Sequence, residues 1–194
     1  MPRATKSVRT PTAASPTLEA AARVLALEAQ ALQAIEAALG SDLGHSVERA
    51  VALMFKVKGR VVVSGMGKSG HIARKIGATL ASTGTPAFFV HPAEASHGDL
   101  GMITRDDAVV ALSNSGETAE LADLIDHCRR FTIPLIAMVG QAASTLGKAA
   151  DIVLALPRMP EACPMGLAPT TSTTMMLALG DALAVALLDK RGFS

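Results

Sequence analysis

The stretch "VVVSGMGKSGH", residues 61–71, sets Gly65, Gly67 and Gly70 in a G-x-G-x-x-G pattern and adds Lys68 and Ser69. Glycine-rich turns that open a helix bring backbone N–H groups up to an anion. Two nucleotide readings fail on spacing. A Walker loop requires a further glycine where Val62 stands. A dinucleotide site requires an acid closing the next strand, to hold the ribose. That strand ends "FFVHP", and its first acid, Glu94, comes only after a proline and an alanine. What remains is a phosphate-type turn presenting Lys68 and Ser69. The stretch "SNSGETAE", residues 113–120, repeats the design with Ser113, Asn114, Ser115 and Thr118 around Gly116. Short hydroxyls and amides at such a turn can share one phosphate. The alternative is an ordinary helix cap supported by Glu117 and Glu120. Two such turns on neighbouring strands favour the phosphate, with Ser69, Ser113, Asn114, Ser115 and Thr118 as its candidate partners.

Two further positions have types suited to proton transfer. Glu161 lies in "PEACP", between Pro160 and Pro164, where a stiff loop could hold a carboxylate in a cleft; a solvated loop acid is the plainer alternative. His97, in "EASHGDLG", lies on an irregular segment after the second strand; a neutral imidazole there could shuttle a proton. It is also a possible adventitious metal ligand, with His91 nearby, but no firm metal spacing is present. His71 reads as a packing or capping residue, and His45 and His127 as helix-surface residues.

These residues need a scaffold. Leu18, Leu25, Leu32 and Leu39 recur every seven residues, with Val24 and Ile35 beside them, predicting an amphipathic helix closed by Gly40. Ser41 and Asp42 offer caps for a second helix reaching about Val57. The pair could form a seam between subunits or pack on its own domain. From Arg60 the period changes: "RVVVS", "PAFFV", "DAVVALS", "IPLIAMV" and "DIVLAL" are short, continuously apolar runs, as strands buried on both faces require. Helical stretches are expected at 69–82, 117–130, 143–149 and about 170–190. This alternation predicts an α/β fold, a doubly wound parallel sheet of about five strands behind two N-terminal helices. Every motif named above falls at the carboxyl end of a strand, where such sheets bind ligands.

At 194 residues and 49% hydrophobic content the chain has material for one domain, expected over 17–194. Residues 1–16, basic and without an apolar run, read as a disordered tail rather than a secretory signal. A net charge of +1, with no Trp and no Tyr, gives no electrostatic or stacking case for nucleic acid or a membrane surface. "TTMMLALGDALAVALL" looks membrane-like until Asp181, which favours a core or interface helix. Cys128 and Cys163 show no metal spacing, and a reduced, cytoplasmic protein is the expectation.

"SNSGETAE" resembles the signature of sugar isomerase (SIS) domains, which bind phosphosugars. More narrowly, "GMGKSGHIARK", "ASTGTPAFFVHPAEASHGDLGMI", "EACPMGLAPTTSTT" and "GDALAVALL" resemble the arabinose 5-phosphate isomerases of that family, from about residue 17 to Ser194. The resemblance implies a flavodoxin-like sheet and an aldose–ketose isomerase acting on D-ribulose 5-phosphate and D-arabinose 5-phosphate. That reaction supplies Kdo for lipopolysaccharide and needs no cofactor. It also implies a homo-oligomer, expected to be a tetramer, with sites near subunit boundaries. Carried onto matching positions, it makes Glu161 the principal catalytic carboxylate and Glu120 a second. By the same match Lys68 is a cation for phosphate or enediolate, and His97 a site residue. Long members of the family continue into a pair of CBS domains, whereas this chain ends at "DKRGFS". A histidine proposed as catalytic just past that boundary has no counterpart here. The alternatives are a phosphosugar isomerase of other specificity and a non-catalytic module that senses a sugar phosphate.

Overall fold

The computed structural model describes residues 15–192. The expected tail therefore falls outside the described residues, except that Ser15 and Pro16 already belong to the first helix. Ser15 accepts from the Leu18 amide, and Pro16 occupies the first helical position, where its missing N–H costs nothing. Helix α1 runs Pro16–Ala38 and α2 runs Asp42–Lys56. Ser41 stands at the N-cap of α2 but makes no cap there. Its hydroxyl turns back to donate to the Ala38 carbonyl at 2.9 Å, closing α1.

The sheet contains β1 (Val61–Gly65), β2 (Ala87–Val90), β3 (Ala108–Ser113), β4 (Leu135–Val139) and β5 (Ile152–Ala155). All neighbours are parallel, in the order β2-β1-β3-β4-β5, so the expected doubly wound, flavodoxin-like arrangement is the one observed. Alternation along each strand feeds two core layers. Val61, Val63, Val110, Leu112, Ile136 and Met138 point to one side, under α1, α2, α3 (Gly67–Ser82) and α7 (Thr171–Arg191). Val62, Val109, Ala111, Leu135 and Ala137 point to the other, against α5 (Ala122–Phe131) and α6 (Thr145–Ala149). With both faces covered, the strands have no polar positions to alternate, which is why they read as unbroken apolar runs. Truncating one of these, such as the fully buried Leu112, to Ala costs about 2–5 kcal/mol.

Helix α7 is long and apolar enough to cross a membrane, but its window is half buried against protein. Gly180 lets it approach α3, since a Cβ there would meet the Ile76 side chain at 2.4 Å. Asp181 pairs with Lys75 of α3, so its charge is compensated between helices. The segment after β2 is more ordered than expected. His91 stands at the N-cap position of a short helix α4 (Pro92–Ser96), without a side-chain cap bond, and a 3₁₀ turn follows at Asp99–Met102. The helix expected at 117–130 instead begins as a 3₁₀ turn, Ala119–Leu121, before α5.

The leucine row of α1 does not pack on its own domain. Ala31 and Ile35 are the buried residues of α1. Leu18, Leu25, Leu32 and Leu39 remain 62%, 67%, 39% and 43% exposed.

Candidate active site

In this strand order the direction of winding reverses between β1 and β3, which opens a crevice at their carboxyl ends. The two glycine turns flank that point, with Gly65 paired to Leu112 in register. A side chain at Gly65 would meet the Leu112 carbonyl oxygen at 3.0 Å and the Ser69 backbone at 3.1 Å, so the turn is packed down to bare backbone. Lys68 and Ser69 follow in the first turn of α3, where amides have no partner inside the helix. Gly116 shapes the second turn. Its φ is +69°, and a Cβ would fall 1.9 Å from Ser144 Oγ, so conformation and space both demand glycine.

Hydroxyl accounting decides what the second turn can offer. Ser113, buried at 3% exposure, accepts from the Gly116 amide at 3.0 Å and shares a 2.7 Å hydrogen bond with Thr118. Two hydroxyls hold two protons and spend one between them, so the pair presents one O–H to a ligand. Ser115 Oγ accepts from the Glu117 amide at 3.2 Å and keeps its own proton. Glu117 receives the amide and hydroxyl of Thr145, which holds its carboxyl below the ordinary range and locks the turn to α6. The turn is internally braced and still retains donors, but Glu117 braces it against α6 and does not cap the helix that follows.

Glu161 is tied down more firmly than a loop acid. Its Oε2 accepts from the Thr170 amide at 2.7 Å, the Thr170 hydroxyl at 3.1 Å and the Ser172 amide at 3.3 Å. Thr170 Oγ1 in turn accepts from the Ala162 amide at 2.9 Å, closing the base of the 161–170 loop. Partial burial opposes the charge. The nearby Ser172 side chain and the Thr170 and Ser172 amides outweigh that and hold the carboxyl below its ordinary value. The side chain therefore serves as an N-terminal cap for α7, while Oε1 is uncommitted.

Beside it lies a cleft of about 320 Å³ lined by Asn114, Gln141, Arg158, Ser172 and Met175 among others. It joins the second glycine turn, through Asn114, to the Glu161 cap, through Ser172. Sequence reasoning does not single out Arg158, Gln141 or Ser172. Ser172 sits inside a Ser/Thr run whose caps look alike, and Arg158 carries no motif. Only the convergence of β3, β4 and β5 marks them.

The remaining candidates are more dispersed. Glu120 is exposed on the 3₁₀ turn that follows Thr118. His97 is exposed at the C-cap of α4, after the edge strand β2, whereas Glu161 follows the opposite edge strand β5. Four strand spacings of about 4.8 Å separate those edges. The fold itself brings together Asn114 and the Glu161 cap, and Lys68 and Ser69 with the Ser113 turn across one strand spacing. Among the described residues, no three His, Cys, Asp or Glu side chains converge as a metal site.

Comparisons with known proteins agree with this geometry. The sequence profile of the SIS domain family matches residues 53–186. Arabinose 5-phosphate isomerase KdsD of Pseudomonas aeruginosa is 56% identical over 177 residues, covering 91% of this chain and 53% of that protein. The protein of the same name from Escherichia coli K12 is 52% identical over 176 residues, covering 91% and 52%. The chain thus spans about half the length of these curated relatives. An E. coli CFT073 protein solved in complex with arabinose 5-phosphate superposes with a TM-score of 0.86 at 39% identity, covering 94% of this chain and 95% of that one. With the sheet order, the two glycine turns and this coverage in agreement, the chain belongs to the SIS domain family.

Proposed function

We propose that this domain interconverts D-ribulose 5-phosphate and D-arabinose 5-phosphate through an enediolate. The observation that carries the reading is a cleft lined by Asn114, from the phosphate-type turn, and by Ser172, whose amide bonds the fixed carboxylate of Glu161 and leaves that group's second oxygen uncommitted. Moving a proton between C1 and C2 needs a grip on the remote phosphate, a base beside the carbons and stabilisation of the developing oxyanion. Ser69, Ser113, Asn114, Ser115 and Thr118 supply the grip. Glu161 supplies the base, with Glu120 as a second carboxylate, Lys68 as a cation and His97 as a proton shuttle for ring opening. The chemistry needs no redox cofactor. The names of the relatives and the sugar phosphate bound to the E. coli CFT073 protein support this substrate over a phosphohexose. The relatives' names also support a role in supplying Kdo for lipopolysaccharide.

The assembly belongs to the same proposal. Four exposed leucines in heptad register on α1 suit a homo-oligomer, expected to be a tetramer. Assembly would also let His97 of one subunit serve a site whose Glu161 lies at the far edge of another.

A coupled assay across phosphopentoses and phosphohexoses tests the activity directly. Turnover of arabinose 5-phosphate, with solvent deuterium entering the carbon skeleton, is expected. A chain that binds these sugars and exchanges no deuterium is a sensor and overturns the enzyme reading.

A further inference from the structure

Arg158 stands on the rim of the cleft between the phosphate turn and Glu161. Pro157 and Pro160 bracket it, and their fixed φ angles stiffen the segment from which the side chain projects. Its charge has no carboxylate partner among the described residues, whose ion pairs are Arg60–Asp107 and Lys75–Asp181. Glu161, the nearest acid in sequence, gives its bonded oxygen to the start of α7. Asn114 and Gln141 add amide groups to the same rim. Ser172, which is 4% exposed, lies close to the Glu161 carboxyl, yet its Oγ completes no hydrogen bond of proper geometry. A guanidinium and two amides line this rim, with the Ser172 hydroxyl beside them. Their complement is a small, oxygen-rich group that carries or develops negative charge. The cleft's size lies at the lower end of metabolite pockets, which begin at about 300 Å³.

We propose that Arg158, aided by Gln141, binds the carbonyl end of the sugar and holds the enediolate oxygen while Glu161 carries the proton. The proposal rests on the isomerase reading and assigns it a catalytic residue. In the aldose-to-ketose direction Glu161 Oε1 takes the C2 proton. The C–H electron pair forms the C1=C2 bond, and the carbonyl pair moves onto O1 beside the guanidinium. The proton then returns to C1 and the O2 proton passes to O1, leaving the ketone at C2 with no atom gained or lost. Lys68 lies on the other side of β3, on the β1 turn, so the two cations divide the substrate: Lys68 serves the phosphate end and Arg158 the carbonyl end.

The test compares wild type, Arg158→Met, Arg158→Lys and Lys68→Met, each checked for an unchanged melting curve. Readouts are kcat, KM, inhibition by inorganic phosphate, and inhibition by a phosphorylated aldonohydroxamate, which mimics the enediolate. Arg158→Met should lose about 10²–10³ in kcat, the usual cost of an oxyanion donor. It should lose hydroxamate affinity in parallel and keep its phosphate inhibition. Arg158→Lys should recover part of both losses, and Lys68→Met should weaken phosphate inhibition instead. An Arg158→Met enzyme with kcat within a few-fold of wild type, or with its loss confined to KM, overturns the assignment. Should wild type turn over no phosphopentose, the isomerase reading fails by itself. Calorimetry of the hydroxamate then decides Arg158 separately, and equal binding to wild type and Arg158→Met overturns it.

Discussion

Replacing Glu161 probes two jobs at once, and their magnitudes separate them. Its Oε2 accepts three hydrogen bonds at the start of α7, from the amides of Thr170 and Ser172 and the hydroxyl of Thr170. Loss of an N-terminal cap costs about 0.5–2 kcal/mol. Glu161→Gln keeps an acceptor oxygen and should fall near the lower end, about 1 kcal/mol; Glu161→Ala keeps nothing and should approach about 2 kcal/mol. At this chain length each kcal/mol lowers Tm by about 2–4 °C. Removing a general base costs about 10²–10⁴ in rate. Glu161→Gln should therefore melt a few degrees low while kcat collapses and solvent deuterium no longer enters the substrate. KM should stay near wild type, because the phosphate turn is untouched. The pH dependence has a definite sign. Because the folded carboxyl titrates below its ordinary value, the stabilisation is present above the ordinary carboxylate range and disappears as pH falls through the folded value. The wild-type and Gln melting curves should converge in acid. A Glu161→Gln enzyme that turns over within a few-fold of wild type places the base elsewhere, with Glu120 and then His97 next to be tested. A kcat loss that tracks unfolding would make the carboxylate a cap and nothing more.

Asp107 should show acid sensitivity of the same sign. Burial opposes its charge, but the amides of Thr104 and Arg60, the Thr104 hydroxyl and the Arg60 guanidinium outweigh this and hold its carboxyl low. Asp107→Asn should cost about 2 kcal/mol, read as a lower Tm at neutral pH that converges with wild type as pH drops below the carboxylate range; a pH-independent loss would point to packing instead. The two free thiols should differ in reactivity: the Ala168, Met165 and Leu167 amides draw Cys163 below the ordinary thiol range, whereas burial pushes Cys128 up to about 12. Iodoacetamide should label Cys163 alone in the folded protein at neutral pH, and equal labelling of both would refute this. Replacing Leu25 and Leu32 together by Glu should dissociate the assembly by light scattering without lowering secondary structure, since both side chains are exposed within the chain; an unchanged mass would move the interface elsewhere.

The sheet is legible in the sequence because its signal is local and redundant. Five apolar runs separated by helical spacing admit few arrangements, and Gly65, Gly67 and Gly116 mark where the chain must turn. Helix α4 is marked only faintly, by a first-position proline, Pro92, and a first-turn acid, Glu94, with no capping side chain before them. The run is too short for apolar periodicity to show, so the segment reads as irregular. Arg158 and Ser172 are not legible, since their meaning depends on which strand ends are neighbours. Ser41 misleads for a related reason: a hydroxyl between two helices can serve either, and here it donates backward to Ala38. The leucine row of α1 reads as amphipathic, but only the packed structure shows that Ala31 and Ile35 face the domain and the leucines do not.

On the proposed reading of Glu161 as the base, its cap limits how the reaction can be driven. A carboxylate held low by the Ser172 side chain and the amides of Thr170 and Ser172 is ionised and ready at neutral pH, yet it is a weak base for a carbon-bound proton. Proton transfer to such a base proceeds only if the resulting enediolate is stabilised, so the burden shifts from the acceptor to the oxyanion. The same helix start that weakens Glu161 contributes a positive dipole end to that corner of the cleft. Arg158 supplies a full charge on its rim. Fixing Oε2 also aims Oε1 and removes the entropy of a mobile loop acid. On this reasoning, loosening the cap should raise the basicity of Glu161 and still slow the enzyme. Thr170→Val, which spares the amide but deletes the hydroxyl's bonds to Glu161 and from the Ala162 amide, is the variant that shows it. Its acid limb in the pH–rate profile should move to higher pH while kcat falls. If kcat rises with the basicity of Glu161, then proton abstraction alone limits the rate and the oxyanion argument is wrong.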